Sequence, residues 1–224
     1  MCGRYQLKAK SDALQEHFGG FLMIQHQARY NIAPTQLAPI VREENGRRVI
    51  RSLRFGLIPS WVQRPPEQPL VNARSESIFE KPSFRSSMQY QRCLVPATGF
   101  YEWQKVQRTK QPFLINRPHN DIFALGGIWA RWQEHGRSVE SFAIITRPAP
   151  STLESIHHRV PVLIESTLYD AWLSSSTSKF SIEAYLSQPD DGAWKTLAIS
   201  QRVNHVRHDD PLCESPRAEQ QQLL

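Results

Sequence analysis

The chain has 224 residues, of which 40% are hydrophobic and 21% are charged, a composition that predicts one globular domain and excludes a disordered chain. The formal net charge of +6 favours a polyanionic partner, above all nucleic acid, because lysine and arginine neutralise phosphates. No apolar run reaches the roughly 18–20 residues that span a bilayer, and Lys8, Lys10 and Asp12 interrupt any apolar signal core at the N-terminus. We therefore expect an intracellular protein, in the cytoplasm or nucleoid if bacterial, without contact to a membrane.

The three cysteines Cys2, Cys93 and Cys213 lie far apart in the sequence, and their number is odd. A disulfide framework is not expected from such a set in a reducing compartment. The cysteines also lack the C-x-x-C spacing of a zinc site. The prediction is a chain with neither a metal nor another cofactor.

The first predicted element is a helix over residues 11–18, with Ser11 as its N-cap and Gly19 and Gly20 as its stop. A turn-rich loop follows over residues 30–36. Alternating apolar residues then predict a strand over residues 48–57. Regular structure is excluded beyond it by the prolines at 59, 65, 66 and 69.

The segment 93–103 is typical of two strands joined by a bulge, since Pro96 and Gly99 interrupt it. We predict further strands over 113–115, 122–132, 141–146, 160–164 and 197–200. We predict further helices over 167–173 and 181–186. Strands dominate without regular strand–helix alternation, which predicts an α+β fold with a curled, largely antiparallel, barrel-like sheet and short flanking helices. We expect one domain over residues 1–216 and a mobile, glutamine-rich tail over residues 217–224.

Cys2 directly follows the initiator methionine. If Met1 is removed, Cys2 carries a free α-amine beside its thiol, a pair that no internal residue offers. An α-amine with a pKa near 7.7–8.0 is partly neutral at physiological pH. Such an amine attacks an aldehyde to give an imine, and the thiol can then close a five-membered thiazolidine. The alternative is that Cys2 is an incidental small residue near a chain end.

Three further polar segments stand out: residues 71–76, 99–103 and 156–161. Glu102 lies among aromatic residues, whose desolvation would raise its pKa for acid–base work, although an outward-facing strand residue is the alternative. His157 and His158 are either proton shuttles or ordinary loop histidines. Arg74 and Arg159 suit phosphate binding, or else are surface charges or structural ion-pair partners.

Six motifs follow one another in a fixed order. They are Met-Cys-Gly-Arg-Tyr at 1–5, Tyr-Asn-Ile-Ala-Pro-Thr at 30–35, Gly-Leu-Ile-Pro-Ser-Trp at 56–61, Asn-Ala-Arg-Ser-Glu at 72–76, Cys-Leu-Val-Pro-Ala-Thr-Gly-Phe-Tyr-Glu-Trp at 93–103 and His-His-Arg-Val-Pro at 157–161. Together they resemble the SRAP family, the SOS response-associated peptidase-like proteins. The resemblance extends from Cys2 to about Pro216.

The resemblance implies a protein that binds single-stranded DNA and shields abasic sites in the DNA damage response through a covalent DNA–protein crosslink. Cys2 would form a thiazolidine with the ring-opened aldehyde of the sugar, by Schiff-base chemistry like that of lyases. His157 would promote ring opening, Glu102 would move protons during imine formation and reversal, and Asn72 would orient the amine or the sugar oxygen. Removal of Met1 would be autoproteolytic or peptidase-like.

The predicted DNA contacts are separate from these catalytic residues. Phosphate contacts are expected from Arg4, Arg74 and Arg159, and stacking or wedging contacts from Asn31, Pro34, Phe55 and Trp61. The sequence departs from the family pattern at three positions: Phe55 replaces a usual tryptophan, Val160 a methionine and Arg147 a threonine. We expect a monomer whose partner is single-stranded DNA containing abasic sites.

Two other functions remain open at this point. A thiol peptidase would use Cys2 as nucleophile, His157 as base and Glu102 or Asn72 as the orienting group. A non-covalent module for single-stranded DNA would give Cys2 no chemical role.

Overall fold

A computed structural model of the chain describes residues 2–118, 121–188 and 193–217. The strands in these ranges are β1 (Tyr5–Leu7), β2 (Phe21–Leu22), β3 (Arg29–Ile32), β4 (Leu37–Glu44), β5 (Arg47–Phe55), β6 (Asn72–Arg74), β7 (Arg92–Ala97), β8 (Gly99–Val106), β9 (Thr109–Asn116), β10 (Phe123–Glu134), β11 (Arg137–Pro148), β12 (Arg159–Pro161), β13 (Leu163–Ile164) and β14 (Lys195–Ala198). The α-helices there are α1 (Ser11–Phe18), α2 (Arg85–Tyr90), α3 (Ser151–Glu154), α4 (Tyr169–Leu173) and α5 (Lys179–Ser187). Short 3₁₀ helices include Ser75–Ser77, Ser166–Leu168, Gln201–Asn204 and Pro211–Glu214.

The strands form two sheets. One has the order β14-β9-β8-β1-β3 and is antiparallel throughout. The other runs β12-β11-β10-β7-β4-β5-β2, with β13 beside β10 and β6 beside β11. Because β5 also pairs in parallel with β11, strands β11, β10, β7, β4 and β5 close into a ring. The predicted α+β fold with a curled, barrel-like, largely antiparallel sheet is confirmed.

Aromatic side chains fill the core next to the N-terminal strand β1. The rings of Phe55 and Phe142 stack with centroids 5.1 Å apart, and Tyr5 meets Phe55 edge-on at 5.6 Å. All three side chains are fully buried. Offset and edge-to-face packing of this kind fixes ring positions, so the N-terminal strand β1 is anchored to the barrel.

Several predicted elements agree closely with the observed ones. Helix α1 has the predicted bounds, and Gly19 ends it with a left-handed φ of 61°. Its N-cap, however, is Lys10, because the Ser11 hydroxyl accepts instead from the His26 N–H at 2.9 Å. The strand predicted over residues 48–57 is β5, and the bulged pair predicted over residues 93–103 is β7 and β8.

Other predictions are corrected. The loop expected over residues 30–36 is strand β3 up to Ile32, because these residues pair with β1, and the turn itself contains Thr35 at a φ of 74°. The strand expected over residues 160–164 is divided into β12 and β13. Strand β4 and helix α2 were not predicted. Within the described residues, no helix is long and apolar enough to cross a membrane.

The predicted tail begins at Arg217, whose N–H donates to the Ala198 carbonyl at 2.9 Å. The remainder of the predicted tail, 218–224, lies outside the described residues.

Candidate active site

Four distant segments bring the predicted catalytic residues together. Cys2 precedes β1, which pairs with the start of β8, and Glu102 follows on β8. Asn72 begins β6, which lies parallel to the middle of β11 at Ile144. His157 lies two residues before the start of β12, which pairs with the end of β11. The two sheets therefore approach each other at Cys2.

Asn72 holds Cys2 by its main chain. The Asn72 side-chain N–H donates to the Cys2 carbonyl at 2.9 Å. The Asn72 Oδ1 atom is buried and has no hydrogen-bond partner within the described parts of the chain. A buried acceptor without a donor is rare in folded proteins and costs free energy. This oxygen can accept from an amine or a sugar hydroxyl placed beside Cys2.

Glu102 and His157, the two predicted proton-transfer residues, face each other in the site. His157 Nε2 lies 3.9 Å from Glu102 Oε2. Glu102 is only 2% exposed, and this burial raises the pKa of its carboxyl group. Burial likewise lowers the pKa of His157 to about 4, so its imidazole is neutral at physiological pH.

The main chain of Arg159 contacts the imidazole of His157. His157 Nδ1 lies 3.0 Å from the Arg159 amide nitrogen and 3.2 Å from the Arg159 carbonyl oxygen. Nδ1 accepts from the first or donates to the second according to the tautomer, and Nε2 faces Glu102 Oε2 at 3.9 Å.

The Cys2 thiol is in its protonated form. Cys2 is fully buried, and this burial raises its pKa, an effect that the negative charge of Glu102 reinforces. A protonated thiol is a weak nucleophile, because the thiolate is the reactive form. The site therefore does not prepare a thiolate for the first attack on a substrate.

The Arg159 guanidinium is enclosed rather than free. It makes a two-pronged ion pair with the Glu76 carboxylate and donates to the Thr146 carbonyl at 2.5 Å. The hydrogen bond from Arg159 lowers the pKa of Glu76 to about 2. Of the two interpretations of Arg159, the structural ion pair describes its observed state, and its main chain supports His157.

Three other predicted DNA-contact residues reach the surface. Arg74 is exposed, and within the described residues its guanidinium makes no hydrogen bond or ion pair. Trp61 is 63% exposed, with its Nε1–H donating to the Pro82 carbonyl at 3.3 Å. Pro34 is partly exposed in the turn after β3. Their predicted contacts with DNA stay predictions.

Two of the predicted contacts are corrected by burial. Phe55 is fully buried in the aromatic core, so its side chain has no surface to offer to DNA. Asn31 is also fully buried, and its Nδ2 donates to the carbonyls of Val203, His205 and His208. Both residues support the fold around the site instead.

Arg4 is anchored by the same segment. Its Nη1 donates at 2.8 Å to Asn31 Oδ1 and at 2.8 Å to the Val203 carbonyl. Its guanidinium also lies over the Trp103 ring, 5.9 Å from the centroid. Arg4 is therefore held in place before any DNA phosphate arrives.

The two other departures from the family pattern lie together. Arg147 and Val160 are cross-strand partners in the pairing of β11 with β12. Val160 is 1% exposed and Arg147 is 9% exposed. With Phe55, all three departures are thus in buried positions.

Sequence reasoning missed three residues of the site. Trp103, Lys110 and Asn204 line a cavity of about 430 Å³ together with Glu102 and His157. The position of Trp103 directly after Glu102 was a signal that could have pointed to it. Lys110 and Asn204 carried no comparable signal, because only the fold brings them near Glu102.

A larger cleft of about 690 Å³ lies between the 3₁₀ turn at Ser75–Ser77 and α5. Glu76 in its wall is paired with Arg159, and Lys179 is paired with Glu183. Within the described residues, no group of three or more histidine, cysteine, aspartate or glutamate side chains could hold a metal ion. His205 and His208, although at H-x-x-H spacing, belong to no such group.

Comparisons with known proteins agree on one family. The family model described as SOS response associated peptidase (SRAP) matches residues 1–206. "Abasic site processing protein YoqW" of Bacillus subtilis is 30% identical over 218 residues, covering 94% of this chain and 97% of that protein. "Abasic site processing protein HMCES" of Gallus gallus is 26% identical over 225 residues, covering 85% of this chain and 67% of that protein.

Solved structures share the fold. The crystal structure of a protein from Bacteroides thetaiotaomicron superimposes with a TM-score of 0.87 at 27% identity, covering 96% of this chain and 100% of that one. The family model spans nearly the whole chain and includes all four residues of the site. The chain therefore belongs to the SRAP family.

Proposed function

We propose that the protein processes abasic sites in single-stranded DNA by forming a thiazolidine crosslink with Cys2 after removal of Met1. Met1 itself lies outside the described residues. The observation that carries the proposal is the environment of Cys2: Asn72 holds its carbonyl at 2.9 Å and has a buried acceptor, Oδ1, that no group in the described part of the chain satisfies. The relatives named as abasic site processing proteins support the choice of substrate.

The first step is opening of the sugar ring. An abasic deoxyribose is mostly a closed hemiacetal, and the aldehyde appears when the C1′ hydroxyl loses a proton and the ring oxygen gains one. In this scheme His157, in its Nε2–H tautomer, donates to the ring oxygen, and the neighbouring Glu102 carboxylate accepts the hydroxyl proton. Glu102 then passes this proton to His157 Nε2, so that both groups return to their starting states. A group placed for such transfers contributes about 10²–10⁴-fold in rate.

The second step joins the protein to the aldehyde. The neutral α-amine of Cys2 forms a bond to C1′, and the carbonyl oxygen leaves as water after proton transfer through Glu102. The Cys2 thiol then adds to the imine carbon, and its proton moves to the nitrogen. One aldehyde, one amine and one thiol thus become a thiazolidine and one water. Reversal uses the same groups, so slow self-release is expected.

The protonation states favour this route over a thiol peptidase. A cysteine peptidase needs a thiolate paired with an imidazole. Here burial raises the pKa of the Cys2 thiol and lowers that of His157, so both groups stay neutral instead of forming a thiolate–imidazolium pair. An amine-first attack requires no thiolate. A purely non-covalent module would leave the alignment of Asn72, Glu102 and His157 without a use.

DNA binding rests on separate groups. The exposed Arg74 guanidinium lies two residues after Asn72, so a phosphate bound there would bring the sugar close to Cys2. Trp61 offers an exposed ring on which a base of any sequence can stack. A single strand fits best, since an enclosed site cannot easily receive a paired backbone.

The test is incubation of the mature protein with a single-stranded oligonucleotide that carries one abasic site, followed by denaturing electrophoresis. We expect a shifted band for the wild type and for Cys93→Ala, which removes another buried thiol, but not for Cys2→Ala. The absence of a wild-type band, or a band that persists in Cys2→Ala, would contradict the proposal. Turnover of added peptides would indicate the peptidase instead.

A further inference from the structure

His158 has no part in the proposed chemistry, yet its ring lies on the ring of His157. The two imidazoles stack with their centroids 4.4 Å apart and their planes inclined by 24°. Successive residues of an extended strand point to opposite faces. Here a bend at His158, directly before β12, brings both rings to the same side of the chain. The local course of the main chain therefore creates the contact.

The main chain around this pair of histidines is fixed. The His157 N–H donates to the Leu153 carbonyl of α3 at 3.0 Å, and the His158 carbonyl accepts from the Ala149 N–H at 3.0 Å. From Arg159 onward the chain is paired with the end of β11. Neither histidine can move away without breaking a hydrogen bond of its own main chain, so the fold itself specifies the stacked arrangement.

The stack lies between the buried acid–base groups and the solvent. The Glu102 side chain is 3% exposed and the His157 side chain 19%, whereas His158 is an exposed residue. The His158 ring shields one face of the His157 imidazole from water. Burial is the largest cause of the lowered pKa of His157, and the positive charge of a protonated His158 lowers this pKa further.

The orientation of the His157 ring decides whether it can transfer a proton. Its Nε2 atom lies 3.9 Å from Glu102 Oε2, and rotation about the side-chain bonds would remove Nε2 from this position. A displacement of about 1 Å can cost about 10²-fold in rate. An aromatic pair favours its stacked arrangement by about two- to tenfold. The stack thus keeps a larger fraction of the molecules in the arrangement that can react.

We propose that His158 is a positioning residue for His157, whose imidazole it holds toward Glu102 by stacking on one face. The inference rests on the proposed function, because opening of the sugar ring is the step that needs a proton from His157. His158 itself transfers no proton and touches no reacting atom. Its flat ring performs this role rather than its charge, so another aromatic ring of similar size can replace it.

Two substitutions separate stacking from charge. His158→Ala removes the ring, and we expect it to slow crosslinking of a single-stranded abasic oligonucleotide about fivefold at saturating protein. His158→Phe keeps a flat ring without a titratable group and should restore the rate to within about twofold of the wild type. Equal slowing by both substitutions would overturn the proposal.

His135→Asn is the matched control. His135 is an exposed histidine in the turn between β10 and β11, and asparagine tolerates the left-handed φ of 47° at this position. The substitution removes an imidazole that has no contact with His157, so the variant should form the crosslink at the wild-type rate. A fivefold slowing in this control as well would overturn a specific role of His158.

DNA affinity is measured separately, because an exposed histidine can also bind a phosphate directly. Titration with an oligonucleotide that carries a stable tetrahydrofuran analogue of the abasic residue should give the same Kd for the wild type, His158→Ala and His158→Phe. A weaker Kd for His158→Ala, together with an unchanged crosslinking rate at saturation, would make His158 a DNA contact and overturn the proposal.

A measurement without DNA keeps the inference independent of the crosslink. Both variants lack the charge of His158, so the difference between their His157 pKa values reports the stacked ring alone. NMR titration should give a higher His157 pKa in His158→Ala than in His158→Phe, because water reaches the uncovered imidazole. Equal values would overturn the positioning role. If the wild type forms no crosslink while these pKa values differ as expected, the proposed function fails and the stacking role stands.

Discussion

At the scale of single residues, the site depends on a carboxyl group that the fold keeps away from water. Glu102 is on a strand, 2% exposed, and Cys2 and His157 are among its titratable neighbours in the site. Burial raises the pKa of Glu102, while burial lowers that of His157 to about 4. The raised pKa brings the Glu102 carboxyl group closer to physiological pH, where it can both give and take a proton, while the lowered pKa keeps the His157 imidazole neutral.

Glu102→Gln keeps the shape of the side chain but removes proton transfer. We expect both crosslinking and its reversal to slow by about 10²-fold or more, since the two directions share the same groups. Denaturing gels after rapid mixing measure the rate of crosslinking. Denaturing gels after a chase with excess unmodified protein of a different size measure the rate of reversal. Slowing of only one direction would contradict the role of Glu102 in both.

The same substitution should stabilise the protein in a pH-dependent manner. Because the pKa of Glu102 is higher in the folded than in the unfolded chain, its carboxylate destabilises the fold at neutral pH, and this cost disappears as the pH falls below the unfolded value near 4.5. Denaturant unfolding should therefore show Glu102→Gln more stable than wild type at pH 7 but not at pH 4. A variant less stable than wild type at pH 7 would contradict the raised pKa.

At the scale of elements, strands β6, β11 and β12 connect two sides of the site. Asn72 and Arg74 lie on β6, and the Arg159 side chain crosses from β12 to the Glu76 carboxylate just beyond β6. The Arg159 N–H in turn fixes the His157 ring. The ion pair between Arg159 and Glu76 thus links the position of the His157 imidazole to β6, whose Asn72 side chain holds the Cys2 carbonyl.

Glu76→Gln tests this coupling. It leaves a nearly buried arginine without a carboxylate partner, which should cost about 1–2 kcal/mol at pH 7, less than the ~3–5 kcal/mol of a fully buried pair because the Glu76 side chain is 48% exposed. The pKa of Glu76 is depressed to about 2, so the stability it provides is present above about pH 4.5 and is lost as the pH falls toward 2. The difference in unfolding free energy between wild type and variant must shrink over that range. A difference that is constant with pH would refute the ion pair as its source.

The aromatic core yields a second test at this scale. Phe55→Ala should destabilise the fold by about 3–5 kcal/mol, because it opens a cavity between Tyr5 and Phe142. Trp61→Ala, at an exposed position, should change stability by less than about 0.5 kcal/mol and weaken DNA binding instead. Thermal unfolding and DNA titration of the two variants separate these roles. The reverse pattern would restore Phe55 as a DNA contact.

At the scale of the whole molecule, two sheets meet at the N-terminus and expose only part of the site. The ring of β11, β10, β7, β4 and β5 provides the rigid body, and the sheet containing β8 and β9 forms the walls around Glu102. The net charge of +6 suits a polyanion over this surface. An increase in salt concentration should consequently slow crosslinking to long DNA.

Sequence motifs predicted the residues that meet in this site but not the orientation of every side chain. Cys2, Asn72, Glu102 and His157 belong to ordered motifs, which is why the fold class and the candidate site were predictable. Asn31 belongs to such a motif too, yet its side chain points inward and holds the segment after Val203. Such orientation depends on contacts between segments about 170 residues apart in sequence, and no local pattern encodes it.

Strand β4 and helix α2 were missed for a related reason. Strand β4 is buried at five consecutive positions in the closed ring, so it lacks the alternation of apolar and polar residues that marks a half-exposed strand. Helix α2 has only six residues, too few to show a helical period. Tertiary pairing, rather than local preference, determines both.

The most direct test of the central claim is peptide mass spectrometry of the protein after reaction with an abasic oligonucleotide, without a reducing agent. We predict that Met1 is absent and that the DNA remnant is attached to Cys2 with the loss of one water. After denaturation and alkylation, Cys93 and Cys213 should be alkylated while the Cys2 sulfur in the adduct is not. An adduct on another residue, or an adduct whose Cys2 thiol is still alkylated, would contradict the thiazolidine and with it the proposed mechanism.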